Sequence, residues 1–280
     1  MRRCIDQELL ATMSEGSKIL FVVEGNKTER GLINRLSEVF GFSAELYTVN
    51  GNIYMLYQAV KNDPYAETVK VLAGMANSES DKSVLSNVFT DVFLVFDCDA
   101  QHTMNKSEAD TMSAHEIACR NMSLICEMSA RFDESTDPLR GKLLVNYPMV
   151  ESFRDCDDFF DVSYASAEVH VDDLKEYKSR VGGRQLVRQH VKDFTRQNFQ
   201  DLMLMNLCKL NKVFTDQFTA LQYADFLGFN NQLKIAEAEF SLVESRSVLS
   251  VLNTLLFFPL EYFGDVNGFY SAVVAGEGIR

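Results

Sequence analysis

The chain is expected to fold as an α/β protein: a mostly parallel sheet flanked by helices, followed by an all-helical C-terminal domain. Three observations predict this. Apolar runs of strand length alternate with segments of helical periodicity up to about residue 150. The run Val92 to Phe96 is apolar on both faces, as parallel strands covered by helices are. Beyond about residue 162 no convincing strand pattern remains, and helical spacing dominates to Phe263. The expected division is therefore residues 1–161 and residues 162–280.

The elements follow in order. A short lead-in helix is expected up to Met13, then a β-branched strand over Ile19 to Val23. Leu32, Ile33, Leu36, Val39 and Phe40 recur at helical spacing, and Gly41 is placed to stop that helix. A strand over Ala44 to Val49 precedes helices over Ile53 to Val60 and Thr68 to Met75. The polar stretch Asn77 to Ser83 is expected to be a loop. After Val92 to Phe96, a polar loop leads to a long helix over Ser113 to Phe132. A turn-rich connection containing Pro138 and a strand over Leu143 to Val145 complete the alternating part.

Composition narrows the class. At 280 residues and 46% hydrophobic, the chain can bury a large core. A net charge of −13 excludes a protein coated all over in nucleic acid but leaves room for a local basic track. The six cysteines, Cys4, Cys98, Cys119, Cys126, Cys156 and Cys208, show no CxxC pair or zinc-ligand spacing. They read as reduced thiols of an intracellular protein. The first residues lack a signal-peptide apolar stretch, and Val248 to Phe263 is too short and too interrupted for a membrane span. A cytoplasmic protein without membrane attachment is expected.

Two acidic motifs close apolar runs. Phe21-Val22-Val23 ends in Glu24-Gly25, and Val92 to Phe96 ends in Asp97-Cys98-Asp99. Strand tips of an open α/β sheet converge where ligands usually bind. Side chains at i and i+2 of a strand share a side, so Asp97 and Asp99 are expected to address one cation. Carboxylates crowded together repel unless a divalent cation lies between them, so the pattern reads as a Mg²⁺ (or Mn²⁺) site for phosphate chemistry. Gly25 permits a tight turn and close approach of backbone to a phosphate. Glu29 has two readings, a metal ligand or the partner of Asn26 in a helix capping box. His102 follows the Asp-x-Asp closely and reads either as an assistant at the site or as an exposed loop residue.

The spelling Val23-Glu24-Gly25-Asn26-Lys27-Thr28-Glu29, with Val95-Phe96-Asp97-Cys98-Asp99 and Asn146-Tyr147-Pro148-Met149-Val150-Glu151, resembles the Toprim domain. It is most similar to the OLD-family and RloB-like proteins, over roughly residues 17 to 160. That resemblance implies a Toprim-like sheet and phosphodiester cleavage. Glu24 would be general acid/base or an inner ligand, and Asp97 and Asp99 would hold Mg²⁺. Glu151 and Glu29 would be further ligands, one or two ions being bound. Gly25 and Lys27 would face the phosphate. It also implies a toxic effector of bacterial antiphage defence, acting on RNA, including tRNA, or on DNA. The chain has no GxxxxGK[ST] of its own, so an ABC-type ATPase partner would be a separate subunit. The third block departs from the family pattern, since Tyr147 stands between Asn146 and Pro148. Glu151 also reads as an acid favoured at a helix N-terminus.

In the second half, Arg184, Arg188, Lys192 and Arg196 recur every fourth residue. On a helix they would form a basic stripe, with Val187, Val191 and Phe194 on the inward face. The stripe reads as a phosphate track or as a solvated face. Leu249 to Phe263 reads as core or as an oligomer interface. Two other functions stay open: a non-catalytic Toprim-fold assembly or regulatory subunit, and a different Mg²⁺-dependent phosphotransfer enzyme.

Overall fold

The computed structural model describes residues 18–25, 27–49, 51–63, 65–105, 108–132, 136 and 140–276. The lead-in helix expected before Met13, and Cys4 and Asn26, lie outside the described residues.

The first half alternates as the apolar pattern requires. β1 (Ile19–Val23) leads to α1 (Thr28–Phe40), β2 (Ala44–Thr48), α2 (Ile53–Val60), α3 (Thr68–Met75) and α4 (Glu79–Leu85). Then come β3 (Asp91–Asp97), α5 (Glu108–Thr111), α6 (Ala114–Phe132) and β4 (Lys142–Asn146). Gly41 ends α1 with φ 78°, a left-handed cap that only glycine adopts freely. The expected loop after Asn77 is instead partly helical. Ser78 accepts a hydrogen bond from the Asp81 N–H (3.1 Å), and Glu79 and Asp81 lie in the favourable first turn of α4.

All four strands are parallel, in the order β2-β1-β3-β4. Every residue of β1 is buried, each large apolar side chain contributing about 1.5–3 kcal/mol. Register places Phe21 beside Phe93, their rings stacked at 5.3 Å. Phe258 meets both edge-on at 4.9 Å. One sheet face is thus sealed by a residue far along the chain.

The second half runs through β5 (Glu168–His170), α7 (Tyr177–Val181), α8 (Arg196–Thr215), α9 (Tyr223–Phe229) and α10 (Gln232–Arg246). β6 (Val248–Ser250), α11 (Phe258–Phe263) and α12 (Phe269–Val274) follow, with 3₁₀ turns between elements. It is not all-helical: β5 and β6 form an antiparallel pair, and Tyr147 bridges to Leu252. Each of these strands has three residues, too few for a periodic signal. Core residues on both sides of position 162 pack into one continuous cluster. The outer edge of β4 is closed by this half. Gln232 Oε1 accepts from the Val145 N–H (3.2 Å), the Thr254 hydroxyl donates to the Val145 carbonyl (2.9 Å), and Leu255 N–H donates to Asn146 Oδ1 (3.3 Å). Such covering removes an open sheet edge. Among the described residues, no helix is long and apolar enough to cross a membrane. Cys98, Cys119, Cys126, Cys156 and Cys208 are not in disulfides.

Candidate active site

The chain passes from β1 to β2 on one side and returns to β3 on the other, so the strand order reverses between β1 and β3. Open α/β sheets bind ligands in the crevice at such a point. Val23 pairs with Val95 and Asp97 with Asn146, which aligns the strand ends. Glu24 follows β1, Asp97 ends β3, and Glu29 lies in the first turn of α1. Glu151 sits on the 3₁₀ turn Val150–Arg154, just beyond the cis Tyr147–Pro148 peptide. The structure brings these four carboxylates and Asp99 into one mutually repelling group.

Their electrostatics follow from burial and crowding. Burial pushes Glu24 up to about 8, with the Asp99 and Glu29 carboxylates adding to the effect. Its Oε2 is buried without a hydrogen-bond partner. Burial also holds Asp97 well above the usual carboxylate range, with Glu24, Glu29, Asp99 and Glu151 adding. Asp99 is raised by burial, against the pull of His102 and of the Gln101 amide. Glu29 is raised by burial and by Glu151, against Lys178 and the hydrogen bond from Gly25.

Alternation along the strand does not carry through to Asp99, as the spacing had suggested. β3 stops at Asp97, and Asp99 has φ 46°, a left-handed conformation that aspartate tolerates better than most residues. Its carboxylate direction is set by this turn. Asp97 Oδ1 accepts the Val150 N–H at 2.7 Å, tying β3 to the turn that carries Glu151. Asp99 Oδ1 accepts from Gln101 Nε2 at 3.2 Å.

In chemistry alone the donor set suits a hard divalent cation: oxygen ligands only, half-buried, acidic, with an orphaned oxygen on Glu24. Among the described residues, no group of three or more His, Cys, Asp or Glu side chains is arranged so that it could hold a metal ion. The carboxylates are gathered without being drawn to one point.

Several residues that sequence reasoning missed shape the site. Lys178 Nζ lies 2.6 Å from Glu151 Oε1, and the Thr28 hydroxyl donates to the same oxygen at 3.3 Å. The loop after Asp97 is pinned from three sides. Tyr54 OH donates to the Cys98 carbonyl (2.9 Å), and Asn121 Nδ2 donates to the Ala100 and His102 carbonyls (2.8 Å each). Arg120 also donates to the His102 carbonyl (2.9 Å). The His102 ring stacks on Tyr54 at 5.0 Å, so it is held and not free in solvent. Thr28 lies inside the first motif and was visible there. Lys178 belongs to a remote segment whose pattern carries no such signal.

Gly25 does permit a close approach, and its neighbour is a carboxylate. Its N–H donates to Glu29 Oε1 (3.1 Å), and a Cβ at Gly25 would lie 2.5 Å from Glu29 Oε2. Lys27 is exposed at the start of α1. The expected basic helix over residues 184–196 is absent. Gln185–Arg188 and Val191–Asp193 are separate 3₁₀ turns, and Arg196 opens α8. The four cations therefore share no helix face. Arg184 pairs with Asp155 (3.0 Å), and Arg196 donates to the Val39 carbonyl (3.0 Å) and lies over the Phe40 ring. Arg188 and Lys192 are exposed. Phe194 is buried as expected. Compared with family models, curated proteins and solved structures, the chain matches none.

Proposed function

We propose that this chain is a divalent-cation-dependent hydrolase of nucleic-acid phosphodiesters, RNA or DNA, built on a Toprim-like plan. The observation that carries the reading is the half-buried acidic group at the β1/β3 crevice, with Glu24 pushed up to about 8. Structural carboxylates are normally paired when buried. A cluster kept together against its own repulsion fits a cation-binding role.

In this reading Asp97 and Asp99 hold Mg²⁺ or Mn²⁺, with Glu151 and Glu29 as further ligands for one or two ions. A bound divalent cation polarises a phosphoryl oxygen and lowers the pKa of a water. Glu24 moves the proton, taking it from the attacking water or returning it to the leaving oxygen. The hydrogen bonds that pin the Cys98–His102 loop keep Asp99 at a fixed place relative to β3. The resemblance to Toprim effectors extends the proposal to a toxic role in antiphage defence, beside a separate ABC-type ATPase.

The test uses the full-length protein with MgCl₂ or MnCl₂, offered duplex DNA and total small RNA. Wild type is compared with Glu24→Ala and with Asp97→Ala/Asp99→Ala. Discrete products from wild type alone, with growth arrest on its expression in cells, are expected. Equal cleavage by Glu24→Ala would remove that residue from the chemistry.

A further inference from the structure

Lys178 reaches the acidic group from outside the sheet. It lies on α7, which is anchored by other residues: Tyr177 and Val181 are buried, and Arg180 pairs with Asp155 at 2.7 Å. The Lys178 side chain is 70% exposed along its length, yet its ammonium meets Glu151, itself only 12% exposed. A long exposed lysine is ordinarily free to take many conformers. Here the Glu151 hydrogen bond and charge, then the charges of Asp97 and Glu29, favour its cationic form. Glu151 Oε1 thus has two donors, the Lys178 ammonium and the Thr28 hydroxyl.

We propose that Lys178 is the resident counter-ion of the acidic cluster, occupying Glu151 in the metal-free protein and leaving it before Glu151 can join a divalent cation. This rests on the reading of the cluster as a divalent-cation site. The physical reason is simple repulsion. An ammonium and a divalent cation cannot both sit on one carboxylate oxygen without strong mutual repulsion. Lys178 accordingly sets a threshold: it steadies the cluster and weakens the entry of metal. Because its stem is solvated, displacement swings the ammonium into water without disturbing the core.

The experiment is calorimetric titration of Mn²⁺, with Mg²⁺ competition, into the full-length protein and its Lys178→Met and Lys178→Arg variants. Each is also made in a Glu151→Gln background. Met keeps the stem and removes the charge. A neighbouring like charge can shift such an equilibrium by about one to three powers of ten, and solvent exposure puts Lys178 at the low end. Lys178→Met is expected to bind Mn²⁺ about tenfold more tightly, and Lys178→Arg to stay near wild type. The gain should shrink when Glu151 is Gln. Equal affinity of wild type and Lys178→Met overturns the counter-ion role while leaving the metal site standing. A gain undiminished in Glu151→Gln overturns the action through Glu151. No Mn²⁺ binding by any form, at millimolar metal, overturns the metal reading itself and the inference with it.

Discussion

Two carboxylates, the buried Asp155 and the half-buried Glu24, have opposite surroundings. The Asp155 side chain is 1% exposed and clasped by Arg180 at 2.7 Å and Arg184 at 3.0 Å. Glu24 has a buried, unpartnered oxygen and three carboxylates among its neighbours, Asp97, Asp99 and Glu29. The same chain therefore shows what it does when a buried acid only has to be stable. The contrast separates a carboxylate that holds structure together from one kept at a cost to stability.

The sharpest way to break this contrast is to mutate both sites and read activity and stability together. Glu24→Gln should lower cleavage by about 10²–10⁴-fold, as expected for a lost general acid/base. Its unfolding midpoint should stay level or rise, because Glu24 ionises freely only in the unfolded chain and an amide carries no such penalty on folding. Asp155→Ala should do the reverse and lose roughly 2 kcal/mol in urea unfolding. That is less than the roughly 3–5 kcal/mol of a fully buried pair, because both guanidiniums reach water. Loss of stability in Glu24→Gln larger than in Asp155→Ala would erase the distinction.

Next is the buried amide that supports the turn carrying Glu151. Asn253 Nδ2 donates to the Val150 carbonyl (2.7 Å) and the Ser152 hydroxyl (3.2 Å), while its N–H donates to Asn206 Oδ1 (2.9 Å). Asn253→Ala leaves two buried partners of its side chain without a donor and should cost about 1–3 kcal/mol by chemical denaturation. A cost below the error of the measurement would mean that the turn is held by other contacts.

A third acid, Glu239, lies between the two extremes. It accepts the Ser250 N–H (2.8 Å) and feels both the Lys209 ammonium and the Glu168 carboxylate. Burial pushes Glu239 up to about 7 and Lys209 down to about 8. Unfolded, the Glu239 carboxyl titrates near its ordinary 4.5. Between these two values the folded chain holds more protons, so stability falls as pH rises from about 5 to 7. Glu239→Gln should flatten that slope, by ~2 kcal/mol between pH 5 and pH 7. An unchanged slope assigns the dependence elsewhere. The smallest effect is expected at Arg188 and Lys192, where reversal to Glu should change stability by less than about 0.5 kcal/mol. The same change at Arg184 should destabilise measurably by placing an acid beside Asp155.

Parts of this were legible in the residues and parts were not, for physical reasons. β1 and β3 announce themselves because a strand covered on both faces is apolar throughout. Glu24, Asp97 and Glu151 were visible as acids closing or following such runs, and parallel register then brings them together. The basic stripe failed because spacing alone assumes a helix. Between Gly182 and Thr195 the chain instead makes short turns whose direction is set by buried Leu186 and Phe194. Ser78 with Asp81 did carry a capping signal for α4, hidden by the polar look of the segment. Lys178 could not be read at all. Its partner lies 27 positions away in sequence and is met only through tertiary packing.

The support of Val150 by Asn253 has a consequence for the order of synthesis. A ribosome releases Glu24 and Asp97 before the turn carrying Glu151, and that turn waits for a brace 103 positions further along. Phe258, which closes one face of the sheet, emerges later still. A nascent or prematurely terminated chain therefore lacks the finished acidic crevice.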